Sequence, residues 1–318
     1  MKEELTLQIF EPVQLNGKHH KNGKRVKNKE IEETEQVEEE IAIVDKRNRL
    51  NDLTGKEWIP ETKSFFYQKG LGANSPHAKY EKMHPAPFSF TDVTKLVKFF
   101  TKTGAKVLDP FSGVGSTIKA CFELEREGFG VELNQKWFDI TKERLKAESN
   151  FDIDDKHLVC GDSRNIKNFF EPETFDFIVT SPPYWNILDK KDHKAKERVE
   201  NGYDTKYGDD ENDLANIDDY DKFLTELANI FLECYDLLKP DKYMCIVVSD
   251  FRHKSEFVPF HADLVAELTN RKLEKKFSLR GIKILIQNAK KLYPYGYPFS
   301  YVENIHHQYV LIFKKVKK

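Results

Sequence analysis

From residue 104 onward the chain alternates short β-rich apolar runs with stretches of helical periodicity. Ala105 to Leu108 reads as a strand ending at Asp109. A loop with Gly113 and Gly115 follows, then a helical stretch from Thr117 to Glu127, with Gly128 as its stop. Phe129 to Leu133 reads as the next strand. Asn134 is placed to cap a helix reaching Lys146, with Trp137, Ile140, Thr141 and Leu145 on one side. His157 to Cys160 is a short strand before Gly161-Asp162, and Phe175 to Thr180 is a strand that stops at Pro182-Pro183. Phe223, Leu227, Ile230, Cys234 and Leu237 form a helical stripe that Pro240 terminates. Tyr243 to Ser249 is an apolar strand, and Gly281 to Gln287 and Gln308 to Phe313 are two more, placed to pair as an antiparallel edge. This alternation predicts an α/β layered domain with a mostly parallel sheet, whose ligand sits beyond the carboxyl ends of the strands.

The first part of the chain follows another pattern. Residues 1–57 show little sustained apolar periodicity, with a basic run at 17–29 and an acidic run at 30–40. They read as a charged, partly disordered extension with a helical segment around Ile31 to Val44. Aromatic residues recur from Trp58, so the folded domain is expected over 58–318, with a charged insertion at 186–219. The net charge of −2 hides a segregation: 200–221 is rich in acids, while 271–291 is basic and includes Lys275, Lys276 and Arg280. A neutral chain can still present one positive face to phosphate. No apolar run approaches the roughly 18 residues that span a bilayer, and Met1 to Phe10 lacks a signal pattern, so a cytoplasmic protein is expected. Cys121, Cys160, Cys234 and Cys245 lack metal-ligand spacing and each sits in an apolar run, so all four are expected as buried thiols, with no metal site.

Every chemically suggestive residue falls at a strand end. The segment Asp109-Pro110-Phe111-Ser112-Gly113-Val114-Gly115-Ser116-Thr117 joins a strand to a helix, and its glycines permit a tight turn and close backbone approach to a ligand. No lysine completes a triphosphate-binding loop. Glu132, next to Leu133, ends the second strand 23 residues after Asp109, where a carboxylate can accept from a ribose diol. Asp162-Ser163 follows the third, where a carboxylate can accept from an adenine amino group. Taken singly, each acid reads equally as a cap or a surface carboxylate. Taken in register, they suit an adenosine ligand without phosphates.

The fourth strand runs into Thr180-Ser181-Pro182-Pro183-Tyr184-Trp185. Two consecutive prolines force a rigid extended bend and remove two backbone donors, leaving nearby carbonyls free to accept. The Ser181 oxygen and the Pro182 carbonyl are then candidates to accept both hydrogens of a base's exocyclic amine, freeing its lone pair. The ring of Tyr184 is a candidate stacking surface. Alone, the tetrapeptide also reads as a plain rigid turn.

Asp109-Pro110-Phe111-x-Gly113-x-Gly115 followed by Thr180-Ser181-Pro182-Pro183-Tyr184 resembles the amino-methyltransferase family of DNA methylases, the cytosine-N4 and adenine-N6 group. The resemblance covers roughly residues 58–315. Within it, His84-Pro85-Ala86-Pro87-Phe88 resembles the segment that packs on the methionine part of the cofactor. Ser249-Asp250-Phe251-Arg252, the run from Phe257 to Asp263 and Tyr295-Gly296-Tyr297-Pro298 resemble later motifs.

The resemblance implies a Rossmann-like fold with a seven-stranded, mostly parallel sheet and an antiparallel last strand, and S-adenosyl-L-methionine as cofactor. Phe88, Asp109, Pro110, Phe111, Ser112, Gly113, Gly115, Ser116, Thr117, Glu132, Leu133, Asp162 and Ser163 would bind it. Ser181, Pro182, Pro183 and Tyr184 would be catalytic. It further implies duplex DNA as partner, with a cognate restriction endonuclease as companion, and Trp185, Lys275, Lys276 and Arg280 as contacts to base or DNA. Target reading is expected from 186–219, 270–291 or 1–80. A serine opening the tetrad leans toward cytosine N4, with adenine N6 as the alternative. An RNA amino-methyltransferase, which shares this motif order in some tRNA guanine enzymes, and a non-catalytic binding protein are further readings. Carbon methylation lacks its Pro-Cys nucleophile.

Overall fold

In the computed structural model the described residues are 43–68, 75, 77–189, 200, 203, 204, 206, 208, 210–254, 256–270 and 272–316. The expected helix around 31–44 lies outside them except at its very end, and the charged runs at 17–29 and 30–40 and most of 190–209 lie outside them as well. The elements, in order, are α1 (Gly55–Glu61), β1 (Phe65–Tyr67), α2 (Ala78–Met83), α3 (Phe90–Phe100), β2 (Lys106–Asp109), α4 (Ser116–Glu123), β3 (Glu127–Glu132), α5 (Gln135–Ser149), β4 (Leu158–Cys160) and β5 (Phe175–Thr180). They continue with α6 (Tyr220–Leu237), β6 (Leu238–Val248), β7 (Phe251–His253), β8 (Glu256–Val258), α7 (Phe260–Thr269), β9 (Ser278–Ile286) and β10 (His307–Lys314).

The main sheet runs in the order β1-β9-β10-β6-β5-β2-β3-β4. All neighbours are parallel except where β10 inserts antiparallel between β9 and β6. The central strands β2 and β5 and the second half of β6 are largely apolar because both their faces are covered, and alternate residues serve opposite layers. Ile178, Met244, Ile246 and Val248 face the α6 and α7 layer, packing with Phe223, Phe231 and Phe260. Phe177, Val179, Cys245 and Val247 face the α3 and α4 layer, where Phe100 stacks on Phe177 with centroids 5.2 Å apart. Deleting one such buried ring costs about 3–5 kcal/mol.

Several expectations need correction. The sheet has eight strands rather than seven, because Phe65–Tyr67 pairs parallel with Ile284–Ile286. The antiparallel pair β9 and β10 is therefore interior, and β1 forms that edge. Gly128 does not stop a helix. The helix ends at Glu123, Glu125 takes the left-handed turn at φ 59°, and Gly128 lies within β3. A Cβ at Gly128 would sit 2.9 Å from the Cα of Ile118, so glycine is needed there to seat α4 on the strand. Pro240 lies inside β6, at the register shift opposite Phe175–Phe177, and α6 ends before it at Leu237. Cys121, Cys234 and Cys245 are buried, but Cys160 is exposed at the end of edge strand β4.

Residues upstream of Trp58 already pack: Asn51 is fully buried and donates to the Phe99 carbonyl at 2.6 Å, and Leu53 is buried beside it. Asn134 caps α5 as read, accepting from the Lys136 amide, and the helix buries Trp137, Ile140, Thr141 and Leu145. Among the described residues no helix is long and apolar enough to cross a membrane, and no cluster of three potential ligands could hold a metal ion.

Candidate active site

The chain passes from β2 to β3 and β4 on one side, then returns to place β5 on the other flank of β2. The crevice beyond the carboxyl ends of β2 and β5 is thus the switch point of the sheet, where open α/β folds bind ligands. Both sequence motifs emerge there, the glycine loop after β2 and the Ser-Pro-Pro-Tyr corner after β5.

Asp109 closes β2 and is buried. Its carboxylate accepts from Thr117 Oγ1 at 2.5 Å, from Thr180 Oγ1 at 2.6 Å and from the Phe111 amide at 3.0 Å. Burial pushes its pKa up to about 7, against the three donors that lower it. Asp109, Gly115 and Thr117 do not reach the cavity wall; they shape the loop from behind. Gly115 caps α4 at φ 72°, where a Cβ would meet Thr141 Cγ2 at 2.4 Å, so only glycine fits. From α5, Thr141 Oγ1 donates to the Gly113 carbonyl at 2.9 Å, and Arg144 donates to the Val114 carbonyl and Ser116 Oγ, each at 3.0 Å. Sequence periodicity marks Thr141 only as part of a helix face, and it gives no sign of the support from Arg144.

The cavity encloses about 900 Å³ between atoms, partly open to solvent. The predicted residues Phe88, Pro110, Phe111, Ser112, Gly113, Ser116, Glu132, Leu133, Asp162 and Ser163 line it, together with Ser181 and Pro183. His84 and Ala86 join Phe88 on one wall, His84 packing edge-on to Trp137 at 4.8 Å. Glu132 accepts from the Gly113 amide at 2.8 Å and from the Asn134 amide at 2.9 Å, and burial pushes its pKa up to about 7. Asp162 caps the short helical turn after β4 and pairs with Arg164 at 2.7 Å. Ser163 Oγ donates to the Pro110 carbonyl.

One further wall has no counterpart in the sequence motifs. Gly208, Asp210, Asn212, Asp213 and Leu214, from the charged insertion, border the same cavity. Arg164 ties them down by donating to the Asn212 carbonyl at 2.9 Å, and Lys136 pairs with Asp204 at 2.6 Å. An acidic run reads in sequence as a solvated face, and only its anchors make it a wall. The cavity thereby carries four carboxylates, Glu132, Asp162, Asp210 and Asp213, and no lysine or arginine among the described residues.

At the corner, Tyr184 is only 7% exposed. Its hydroxyl receives Gln308 Nε2 at 3.2 Å, while its ring meets Phe260 edge-on at 6.3 Å. Burial raises its pKa. The ring has little open face, and neither it nor Pro182 is among the residues that line the cavity. Trp185 is buried, donating from Nε1 to the Ile217 carbonyl at 2.7 Å and packing on His253 and Tyr220, so it supports the corner from below. Lys275, Lys276 and Arg280 lie at the amino end of β9, which runs parallel to β6, and so at the opposite end of the sheet from the cavity. There Lys275 pairs with Asp236 at 2.6 Å, near the end of α6. Arg271 lies outside the described residues.

Among curated proteins, the chain is 28% identical over 130 residues to the type II methyltransferase M.HpaI of Haemophilus parainfluenzae, covering 41% of this chain and 40% of the relative. It is 41% identical over 66 residues to the type II methyltransferase M.SmaI of Serratia marcescens, covering 21% and 23%. The matches thus span less than half the length of either relative. Among solved structures, a Thermus thermophilus protein complexed with S-adenosyl-L-methionine is 25% identical, with a TM-score of 0.33 over 50% of this chain and 54% of that one. The family described as DNA methylase, covering N6 and N4 enzymes, matches residues 7–143 and 175–318, which include both the glycine loop and the Ser-Pro-Pro-Tyr corner. With most of its length, the glycine loop and the Ser-Pro-Pro-Tyr corner inside that match, the chain belongs to the DNA methylase family.

Proposed function

We propose that this chain transfers the methyl group of S-adenosyl-L-methionine to the N4 amino group of cytosine in duplex DNA, with adenine N6 as the second reading. The observation that carries it is the shared cavity: Ser181 and Pro183 border the same space as Gly113, Glu132 and Asp162. That space also fits the cofactor. Ser112 Oγ is buried on its wall without a partner, Glu132 faces it beside the loop, and no lysine or arginine among the described residues lines it to receive a phosphate. An acidic cavity favours a ligand with a sulfonium and an ammonium over a nucleotide.

When bound, the cofactor supplies an electrophilic methyl on sulfur. The protein's work is to present the amine. Glu132 would accept from the ribose hydroxyls and Asp162 from the adenine amino group. The Ser181 oxygen and the Pro182 carbonyl would each accept one amine hydrogen, which localises the nitrogen lone pair for the new N–C bond, formed as the methyl carbon's bond to sulfur would break with its electron pair left on sulfur. The amine proton then leaves by the Ser181 side to solvent. Tyr184, pinned by Gln308, would bound the base pocket. Serine opening the corner after Val179-Thr180 leans toward cytosine, by the family pattern of that corner. A restriction endonuclease as cellular companion belongs to the same proposal.

The test is incubation of the protein with tritiated S-adenosyl-L-methionine and genomic DNA, followed by digestion to nucleosides. Label in N4-methyl-2′-deoxycytidine is expected. Label in N6-methyl-2′-deoxyadenosine selects the second reading, label only in a parallel incubation with total RNA moves the substrate class, and no label in either nucleic acid overturns the proposal.

A further inference from the structure

Five of the twelve large apolar side chains that stand exposed among the described residues lie within 292–301: Leu292, Tyr295, Tyr297, Phe299 and Tyr301. Tyr297, Phe299 and Tyr301 are 80%, 94% and 85% exposed. Soluble surfaces scatter such residues singly, and their clustering marks an interaction site. The segment is a built loop. Asn304 clamps Tyr293 through a pair of hydrogen bonds at 2.9 and 2.8 Å, and His306 bonds to the Lys290 and Asn304 carbonyls. At the tip the Gly296 carbonyl accepts from the Phe299 and Ser300 amides. Gly296 has φ 74°, and a Cβ there would lie 2.4 Å from the Ser300 carbonyl oxygen. The rings are therefore held out in advance, which lowers the cost of ordering them on a partner.

The position selects the partner. The loop leaves the carboxyl end of β9 and returns into the amino end of β10, so it stands at the cavity end of the sheet. Its neck touches the corner. The Gln287 amide donates to the His306 carbonyl at 2.8 Å, Gln287 Nε2 donates to Gln308 Oε1 at 3.2 Å, and Gln308 donates to Tyr184. The loop carries Lys290 and Lys291 against one acid, Glu303.

We propose that this aromatic loop enters the base stack of duplex DNA beside the target, with Phe299 and its neighbours filling the space that a flipped base vacates. Resting on the proposed DNA activity, this names the element that stabilises the flipped state. Extruding a base costs a few kcal/mol of unstacking, and apolar or aromatic wedges are a known physical means to offset it. Rings suit this role better than aliphatic chains because every base offers a π face.

The test is the variant Tyr297→Ala/Phe299→Ala/Tyr301→Ala, assayed on native and heat-denatured genomic DNA. All three rings are exposed, so the fold and cofactor affinity should persist, which thermal melts and calorimetry with S-adenosyl-L-methionine check. Methylation of native duplex should fall by about tenfold or more, with at least half of the wild-type rate kept on denatured DNA. An unchanged duplex rate, or equal losses on both substrates, overturns the loop's role. If the wild type methylates no DNA, the activity reading fails instead. Duplex affinity by fluorescence anisotropy still decides for the loop in that case: weakening in the variant supports it, and identical affinities overturn it.

Discussion

Thr180 Oγ1 donates to Asp109 Oδ1 at 2.6 Å, and this bond spans the switch point of the sheet. It joins the strand that carries the Ser-Pro-Pro-Tyr corner to the strand that carries the glycine loop. Because the same carboxylate holds Thr117 at the start of α4, one buried acid fixes the relative position of both halves of the cavity. Thr180→Val keeps the shape and removes this donor. It should cost about 1–3 kcal/mol of stability, the usual penalty for an underpaired buried polar group. Methyl transfer should fall further than cofactor affinity. Urea melts with parallel kinetics check this, and an equal loss in both functions would argue against a coupling role.

Burial raises the pKa values of Asp109 and Glu132 to about 7, well above the ordinary carboxylate value. For folding, the sign is clear. The folded chain keeps protons that the unfolded chain has already released, so the stability these groups contribute is present at low pH and is lost as pH rises through about 7. For ligand binding the sign reverses, because only ionised Glu132 accepts from both ribose hydroxyls. Affinity for S-adenosyl-L-methionine should therefore weaken by up to about tenfold per pH unit below 7, and Glu132→Gln should flatten that slope. Calorimetric titrations between about pH 5.5 and 8 provide the check; a wild-type affinity that does not vary with pH would contradict it.

The two motifs are legible in sequence because each needs particular residue types at a strand end, and short apolar runs locate those ends. Asn134, read as a cap, does cap α5. What sequence does not show is long-range. Phe65–Tyr67 is a strand only because β9, more than two hundred positions later, offers an unpaired edge. Asp210, Asn212 and Asp213 are polar and become a wall where Arg164 bonds to the Asn212 carbonyl and Asn134 packs against Gly208. Charge alone points the basic stretch at DNA, although residues that precede a parallel strand lie at the end away from its ligand.

That placement yields a negative prediction. Replacing Lys275, Lys276 and Arg280 together by alanine should leave duplex methylation and its salt dependence within about twofold of wild type, since lost phosphate contacts would lower the salt slope. Initial rates across a salt series decide it, and a reduced slope would return these side chains to the DNA surface.

Arg144 is fully buried with Glu81 at 3.2 Å and Glu148 at 3.0 Å, while also holding the loop at Val114 and Ser116. Lys119, equally buried, shares Glu148 at 2.6 Å. Arg144→Met fills similar volume but leaves Glu81 without its cation and the loop carbonyl without its donor. A loss of about 3–5 kcal/mol is expected, as for other broken buried pairs. Chemical denaturation measures it. A cost under about 1 kcal/mol, the range of exposed pairs, would mean that the network is better solvated than its burial implies.

Ser181 and Tyr184 stand three residues apart at the same corner, and their proposed roles are separable. Ser181→Ala removes the acceptor proposed for the amine and should lower the methyl-transfer rate about a hundredfold, comparable to losing one preorganised group in a polar site, with cofactor affinity intact. Tyr184→Phe keeps the wall and deletes only the hydroxyl, leaving Gln308 Nε2 without that acceptor. Its effect should fall mainly on stability, by about 1–2 kcal/mol. Tyr184→Ala opens the wall and should abolish turnover. Single-turnover rates alongside melts separate these outcomes. If Ser181→Ala turned over at the wild-type rate, the corner would not be presenting the amine, and the Pro182 carbonyl alone could not account for the chemistry assigned to the pair.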